Sequence, residues 1–162
     1  LGATVIGTMG SPEKAELARA HGCQHPIVYT REDFAAKVKE ITNGGGVDVV
    51  YDSVGQATFM KSLDCLRPMG MMVSFGQSSG PMPPFDLAIL AQKGSLFLTR
   101  PTLMTYTAKR ADLLAHAHDL FEAVRSGAVK VEVGRTYPLA EASRAHRDLE
   151  GRKTTGSSIF TL

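Results

Sequence analysis

Apolar positions follow two alternating periods along the first hundred residues of the chain. Short apolar runs of strand length are separated by segments in which apolar side chains recur at helical spacing, as at Phe34, Val38 and Ile41. The pattern predicts, in chain order, strand 1–7, helix 12–21, strand 25–29, helix 33–42, strand 47–52, helix 57–66, strand 70–75, helix 87–92 and strand 95–99. Such alternation indicates parallel strands joined by helical crossovers, and therefore an α/β fold with a doubly wound sheet.

The pattern changes after residue 99. The sequence predicts a long helix over 109–126 that ends at Gly127, then a strand over 129–133, a helix over 140–151 and a strand over 157–162. We expect residues 127–162 to belong to a second structural unit whose main part lies outside this chain.

Composition narrows the class of protein. The 162 residues are 43% hydrophobic and 21% charged, which is typical of a folded domain. The net charge of +2 is spread along the chain without a basic stripe, so we expect no nucleic-acid partner. We also expect no membrane association, because the chain has neither an apolar run of about 20 residues nor a signal peptide. Cys23 and Cys65 match neither a disulfide framework nor a zinc ligand set, which favours a cytoplasmic location.

The turn "GTMGSPEK" after the first predicted strand has no acidic side chain where the strand ends. In doubly wound folds the loop after the second strand faces the adenosine ribose, and an acidic residue there binds a free 2′-hydroxyl. Here Ser11 is a good helix N-cap, and Lys14 lies in the first helical turn, where a cation opposes the helix dipole. A bound 2′-phosphate would explain a lysine at position 14. The alternative is that Lys14 is a solvated surface residue beside Glu13, and spacing alone does not decide between the two.

The segment "FGQSSG" follows the predicted strand 70–75. Gly76 and Gly80 allow the backbone to approach a ligand closely, while Gln77, Ser78 and Ser79 supply donors and acceptors. The segment is a candidate dinucleotide-binding loop, and an ordinary polar loop is the alternative.

Seven segments together resemble the C-terminal half of zeta-crystallin-like NADPH:quinone oxidoreductases of the medium-chain dehydrogenase/reductase family. They are "GTMGSPEKAELARAHG", "VVYDSVG", "SLDCLRPMGMMVSFGQSSG", "KGSLFLTRP", "SGAVKVEV", "YPLAEASRAH" and "GSS". The resemblance implies a Rossmann-type sheet whose first strand and glycine-rich pyrophosphate loop would precede residue 1. It further implies that 1–126 is a partial dinucleotide-binding domain and that 127–162 belongs to the catalytic domain.

The same resemblance implies NADPH-dependent reduction of quinones or related electron-poor enones, in a homodimer paired through the edge strand 95–99. Carried over to this sequence, the cofactor-binding residues are Gly10, Ser11, Lys14, Tyr29, Val54, Gly76, Gln77, Ser78, Ser79, Gly80 and Arg152. Without the resemblance, Tyr29 is a residue at the edge of the core, Val54 lies in a turn and Arg152 is a surface cation. An enoyl-thioester reductase and a non-enzymatic nucleotide- or RNA-binding protein are the alternative functions.

Candidates for other chemistry are weak. His116 and His118 are two residues apart on a predicted helix and point in different directions, and His146 has no ligand partner at suitable spacing. We therefore expect no metal site. We identify no catalytic acid or base in this chain, and we expect the chain alone to be inactive.

Overall fold

The computed structural model describes residues 2–151 and 153–162. The chain divides into two compact units, Leu1–Thr102 and Leu103–Leu162. No helix in the described residues is both long enough and apolar enough to cross a bilayer.

Strands and helices alternate through the first unit, as the sequence predicts. The elements are β1 Ile6–Met9, α1 Pro12–Ala20, β2 His25–Val28, α2 Phe34–Ile41, β3 Val47–Asp52, α3 Phe59–Asp64, β4 Leu66–Ser74, α4 Ala88–Gln92 and β5 Phe97–Thr99. Helix α2 illustrates the local cause: Asp33 caps its N-terminus by accepting from the amides of Ala35 and Ala36, and Val38 faces the core.

Strand β4 begins earlier than the sequence predicts. Leu66 pairs with Val47, and the register then shifts so that Met71 pairs with Val49. The extra residues form an irregularity in which Met69 takes a positive φ of 57°. The segment "RPMG" resembles a turn in sequence, but here it interrupts a strand that is already paired, so the predicted start at 70 is wrong.

All described strands pair in parallel. Strand β1 pairs with β2, and β3, β4 and β5 form a separate sheet in that order. In the doubly wound order 3-2-1-4-5-6, these two sheets correspond to strands 2 and 3 on one flank and strands 4 to 6 on the other. The predicted fold class is confirmed, and in the described residues no strand pairs with the free edges of β1 and β3.

Two apolar clusters lie against the helices of this unit. The first packs Phe59 and Leu63 of α3 against Met72 of β4, and the Phe59 and Phe85 rings meet edge to face at 5.1 Å between centroids. The second packs Val38 of α2 against Ile27, with partly buried side chains from both sheets, Ile6, Val47 and Val50, around them. Side-chain packing under α2 therefore joins the two sheets.

The second unit contains the helices and strands of the C-terminal third. These are α5 Leu103–Tyr106, α6 Arg110–Arg125, β6 Val133–Pro138, a 3-10 turn at Leu139–Glu141, α7 Ala142–Glu150 and β7 Ser157–Thr161. Strands β6 and β7 pair in parallel, and the buried Tyr137 hydroxyl donates to Asp148 at 3.0 Å.

Two sequence-based boundaries differ in this unit. The predicted strand 129–133 is wrong, because pairing with β7 begins only at Val133 and, after an irregularity at Gly134, continues from Arg135 to Pro138. Gly134 is required inside this strand, since a Cβ there would lie 1.6 Å from the carbonyl oxygen of Thr155. Helix α5 was not predicted.

The boundary between the compact units falls after Thr102, whereas the domain boundary predicted from the sequence lies at 126/127. Compactness groups helix α6 with the C-terminal strands, but it does not identify the domain to which each element belongs. The assignment of 127–162 to a catalytic domain stays a prediction.

Candidate functional site

The carboxyl ends of β1 and β2 bring Gly10 and Tyr29 into contact. Met9 and Val28 are paired in the last register position, and the Tyr29 amide donates to the Met9 carbonyl at 3.1 Å. A Cβ on residue 10 would lie 3.3 Å from the Tyr29 hydroxyl oxygen, tighter than an ordinary contact. The tyrosine ring thus lies over Gly10, with 40% of the residue still exposed.

Ser11 and Lys14 form the first turn of α1 next to that contact. Ser11 is the N-cap, and its Oγ accepts from the Lys14 amide at 3.4 Å, while Pro12 occupies the first turn. Lys14 is half-buried and, among the described residues, makes no ion pair. Hydrogen bonding to Ser11 holds the pKa of the Glu13 carboxyl below its usual value, with the charge of Arg31 adding to this. Glu13 is therefore engaged with the cap rather than paired with Lys14.

A second group forms where β3 ends, around the buried carboxylate of Asp52. Its Oδ1 accepts from the amides of Val54 and Gly55 at 2.8 and 2.9 Å. Its Oδ2 accepts from the hydroxyls of Thr58 and Ser62 at 2.7 and 2.8 Å. One side chain thereby fixes the turn that carries Val54 to the start of α3.

The Gly76–Gly80 loop after β4 lies directly against that turn. The Ser79 amide and hydroxyl both donate to the Val54 carbonyl, at 2.8 and 2.7 Å, and Ser79 Oγ accepts from the Ala57 amide at 2.9 Å. A Cβ on Gly76 would lie 2.4 Å from the Ser53 carbonyl oxygen, so only glycine allows the two loops to approach this closely. Ser79 is thus committed to loop structure, while Gln77 and Ser78 remain exposed.

Arg100 is a residue of this group that sequence reasoning missed. It follows the last residue of β5, and its Nη1 donates to the carbonyls of Ser74 and Gly76 at 2.8 and 3.0 Å. The available signal was a single cation placed where a parallel strand ends, in "SLFLTRP". Such a position can be recognised in sequence, but the reach of the side chain to another strand's loop cannot.

The remaining predicted position, Arg152, lies outside the described residues. Its neighbour Lys153 is exposed, and its amide donates to the Asp148 carbonyl at 2.9 Å. The structure thus brings the predicted residues together in two groups, each at the carboxyl ends of adjacent parallel strands, which is where doubly wound folds bind ligands.

Comparison with known families decides the affiliation of the chain. The sequence model of the family described as zinc-binding dehydrogenase matches residues 21–159. The chain belongs to this family. The described residues do not fit a zinc site, however, because they contain no group of three or more His, Cys, Asp or Glu side chains placed to hold a metal ion.

Individual relatives place the chain more narrowly within this dehydrogenase family. It is 49% identical over 160 residues to a quinone oxidoreductase of Pseudomonas aeruginosa, covering 99% of this chain and 49% of the relative. It is 50% identical over 161 residues to a 2-haloacrylate reductase of a Burkholderia species, covering 99% of this chain and 48% of the relative. The resemblance to quinone oxidoreductases is confirmed.

A solved structure agrees with the sequence comparison. The crystal structure of Escherichia coli quinone oxidoreductase complexed with NADPH superposes with a TM-score of 0.96 at 48% identity, covering 100% of this chain and 50% of that one. The chain therefore spans about half the length of the relatives it matches.

Proposed function

We propose that this chain is the cofactor-binding part of an NADPH-dependent oxidoreductase that reduces quinones or related electron-poor enones. The observation that carries the proposal is the carboxyl end of β1. The strand ends without an acidic side chain, Glu13 in the first turn of α1 is exposed, and Lys14 is half-buried without an ion-pair partner among the described residues. The quinone oxidoreductase complexed with NADPH, at a TM-score of 0.96, supports it independently.

The donor set of the first group fits a 2′-phosphate. The N-terminus of α1 favours an anion, and Lys14 adds a full positive charge in the same turn. The Tyr29 hydroxyl lies against Gly10 and is partly exposed, so it can donate to the same phosphate. Ser11, Lys14 and Tyr29 would hold this end of the cofactor.

The second group fits the other part of a dinucleotide. Val54 and the Gly76–Gly80 loop would contact the nicotinamide half, with Gln77 and Ser78 as exposed polar groups. NADPH would supply the reducing electrons, and this part of the protein would hold and orient it. Arg152 stays a proposed contact to the cofactor's phosphates.

The test is a comparison of cofactors and acceptors in a full-length protein that carries this chain. We expect tighter binding of NADPH than of NADH in a calorimetric titration, and NADPH oxidation with benzoquinones. 2-Haloacrylate is the acceptor suggested by the Burkholderia relative, and an enoyl thioester represents the alternative reductase. Equal affinity for the two cofactors would contradict the 2′-phosphate site. Turnover confined to enoyl thioesters would show that these, and not quinones, are the electron acceptors.

We further propose that the full protein is a homodimer joined at β5. This strand pairs only with β4 in the described residues, which leaves an edge of unpaired backbone groups, and the Phe97 side chain is 58% exposed. Two copies related by a twofold axis can pair such edges antiparallel and extend the sheet. A cytoplasmic location is also a proposal, supported by the free thiols of Cys23 and Cys65.

A further inference from the structure

A pocket of about 180 Å³ lies beneath the beginning of the Gly76–Gly80 loop. Phe59, Met82, Phe85 and Leu98 form its apolar walls, and Ser74, Gly76, Gln77 and Arg100 form its polar end. The inner side of Gly76 and Gln77 therefore faces open space rather than packed side chains. Packing alone does not hold this part of the loop in place.

Hydrogen bonds hold the loop from two opposite directions. On the β3 side, the amides of Ser78 and Ser79 donate to the carbonyls of Ser53 and Val54 at 3.2 and 2.8 Å. On the β5 side, the guanidinium of Arg100 spans the point at which β4 becomes the loop.

The contacts of Arg100 follow the chain through that point. Its Nη1 donates to the Ser74 carbonyl at 2.8 Å and the Gly76 carbonyl at 3.0 Å, and its Nη2 lies 3.5 Å from Gln77 Oε1. In the part of the chain that the structure describes, no carboxylate pairs with this guanidinium. A planar guanidinium can donate to several acceptors in a fixed arrangement, whereas a lysine ammonium acts as a point charge.

We propose that Arg100 is a positioning residue for the cofactor, which fixes Gly76 and Gln77 in the orientation that binds NADPH. This inference rests on the proposed cofactor site. On the β3 side Gly76 is held only through its amide, which donates to the Asp52 carbonyl at a long 3.3 Å in the described residues, and the pocket leaves room for the segment to move inward. Arg100 therefore orders the loop before the cofactor binds, so less conformational entropy is lost on binding. In this way Arg100 raises the affinity for the cofactor without contacting it.

The test uses a full-length protein with the variants Arg100→Ala and Arg100→Lys. We expect the Kd for NADPH, measured by calorimetry, to rise about tenfold in both, since each loses one or two charge-assisted hydrogen bonds. The KM for NADPH should rise in parallel, while kcat at saturating NADPH should change by less than about twofold. The matched control is Arg67→Ala, which removes an arginine of β4 that instead pairs with Asp48 at 2.6 Å; it should leave the Kd unchanged.

Chemical rescue separates positioning from a general loss of structure. Millimolar guanidinium ion should enter the space left in Arg100→Ala and lower the Kd towards that of the parent, whereas the same concentration of urea, which has the same shape and no charge, should not. If Arg100→Ala does not fold, the conservative Arg100→Lys carries the test.

Three outcomes overturn the proposal in distinguishable ways. If folded Arg100 variants bind NADPH like the parent while Lys14→Ala and Gly10→Val weaken binding, the positioning role is wrong and the cofactor site stands. If none of these variants changes the Kd, the proposed cofactor site itself is wrong. Full function in Arg100→Lys, with weak binding only in Arg100→Ala, would show that charge suffices and would also reject the positioning role.

Discussion

Replacing Asp52 should destabilise this protein more than replacing other aspartates. The carboxylate is 4% exposed and accepts four hydrogen bonds of 2.7 to 2.9 Å, two from backbone amides and two from hydroxyls. In Asp52→Ala the amides of Val54 and Gly55 and the hydroxyl of Ser62 lose this acceptor, and the Thr58 hydroxyl keeps only the Gly55 carbonyl at 3.4 Å. The buried amide of Gly55 is left unsatisfied.

The magnitude follows from the number and kind of these bonds. Hydrogen bonds to a charged group contribute about 1.5–3 kcal/mol each, but a cluster is not additive and water enters the space that is left. We therefore expect Asp52→Ala to lower the free energy of unfolding by about 3–5 kcal/mol. Asp52→Asn keeps one acceptor oxygen for the two amides and places an NH₂ group against hydroxyls that can rotate, so about 1–2 kcal/mol should be lost.

The assay is urea unfolding followed by far-UV circular dichroism, with the midpoint and the slope fitted separately. The control is Asp48→Asn in the same strand. The Asp48 side chain is 80% exposed and, among the described residues, pairs only with Arg67, so the urea midpoint of this variant should match that of the parent. If Asp52→Ala unfolds at the same urea concentration as Asp48→Asn, the carboxylate does not organise the turn and the reasoning is wrong.

Three further expectations test other parts of the structure. Lys14→Ala should weaken NADPH binding by about 1.5–3 kcal/mol and leave NADH binding unchanged, because only NADPH carries the 2′-phosphate. Calorimetry with both cofactors measures this, and equal weakening of the two would refute the prediction. Burial raises the pKa of the Cys65 thiol from its ordinary 9.0 to about 11, so the thiol ionises first in the unfolded chain. Stability should therefore fall from about pH 9 to pH 11, by about 2–3 kcal/mol relative to Cys65→Ala, and parallel pH profiles of the two proteins would disprove this. Phe97→Glu should dissociate the proposed homodimer, because like charges would meet across the twofold axis, whereas Leu114→Glu on the exposed face of α6 should leave the dimer intact. Sedimentation measures this, and an intact Phe97→Glu dimer would exclude pairing at β5.

Local patterns predict the order of strands and helices in the first unit, although β1 lies at Ile6–Met9 rather than at the predicted 1–7. Ser11 caps α1 through a neighbouring amide, and this helix begins where the residue predicts. Asp33, predicted as the first residue of its helix, is instead the N-cap of α2, one residue before the helix begins. That Tyr29 lies near Gly10 can also be inferred from the sequence, because adjacent parallel strands bring their carboxyl ends to one edge of a sheet. The roles of these residues in binding stay predictions.

Features that depend on a distant partner were not accessible in this way. The limits of β6 are set by where Ser157 pairs with Val133, and the apolar residues before it, Val129 and Val131, pair with no strand in the described residues. The irregularity in β4 depends on which residue of β3 faces Leu66. Arg100 reaches the loop of another strand through a long side chain, and no spacing within its own segment encodes that reach.

The separation of the sheet into two parts has a consequence for amide hydrogen exchange. Strand β4 has neighbours on both sides, whereas β1 and β3 each present one edge that is not paired in the described residues. Amides of β4 that bond to β3 or β5 should exchange only when that sheet opens as a whole, and amides on the free edges should exchange through small local fluctuations. Because the cluster that contains Val38 includes side chains from both sheets, the two parts should open together in the parent and independently when Val38 is truncated. The packing under α2 thus determines whether this unit opens as one cooperative body or as two.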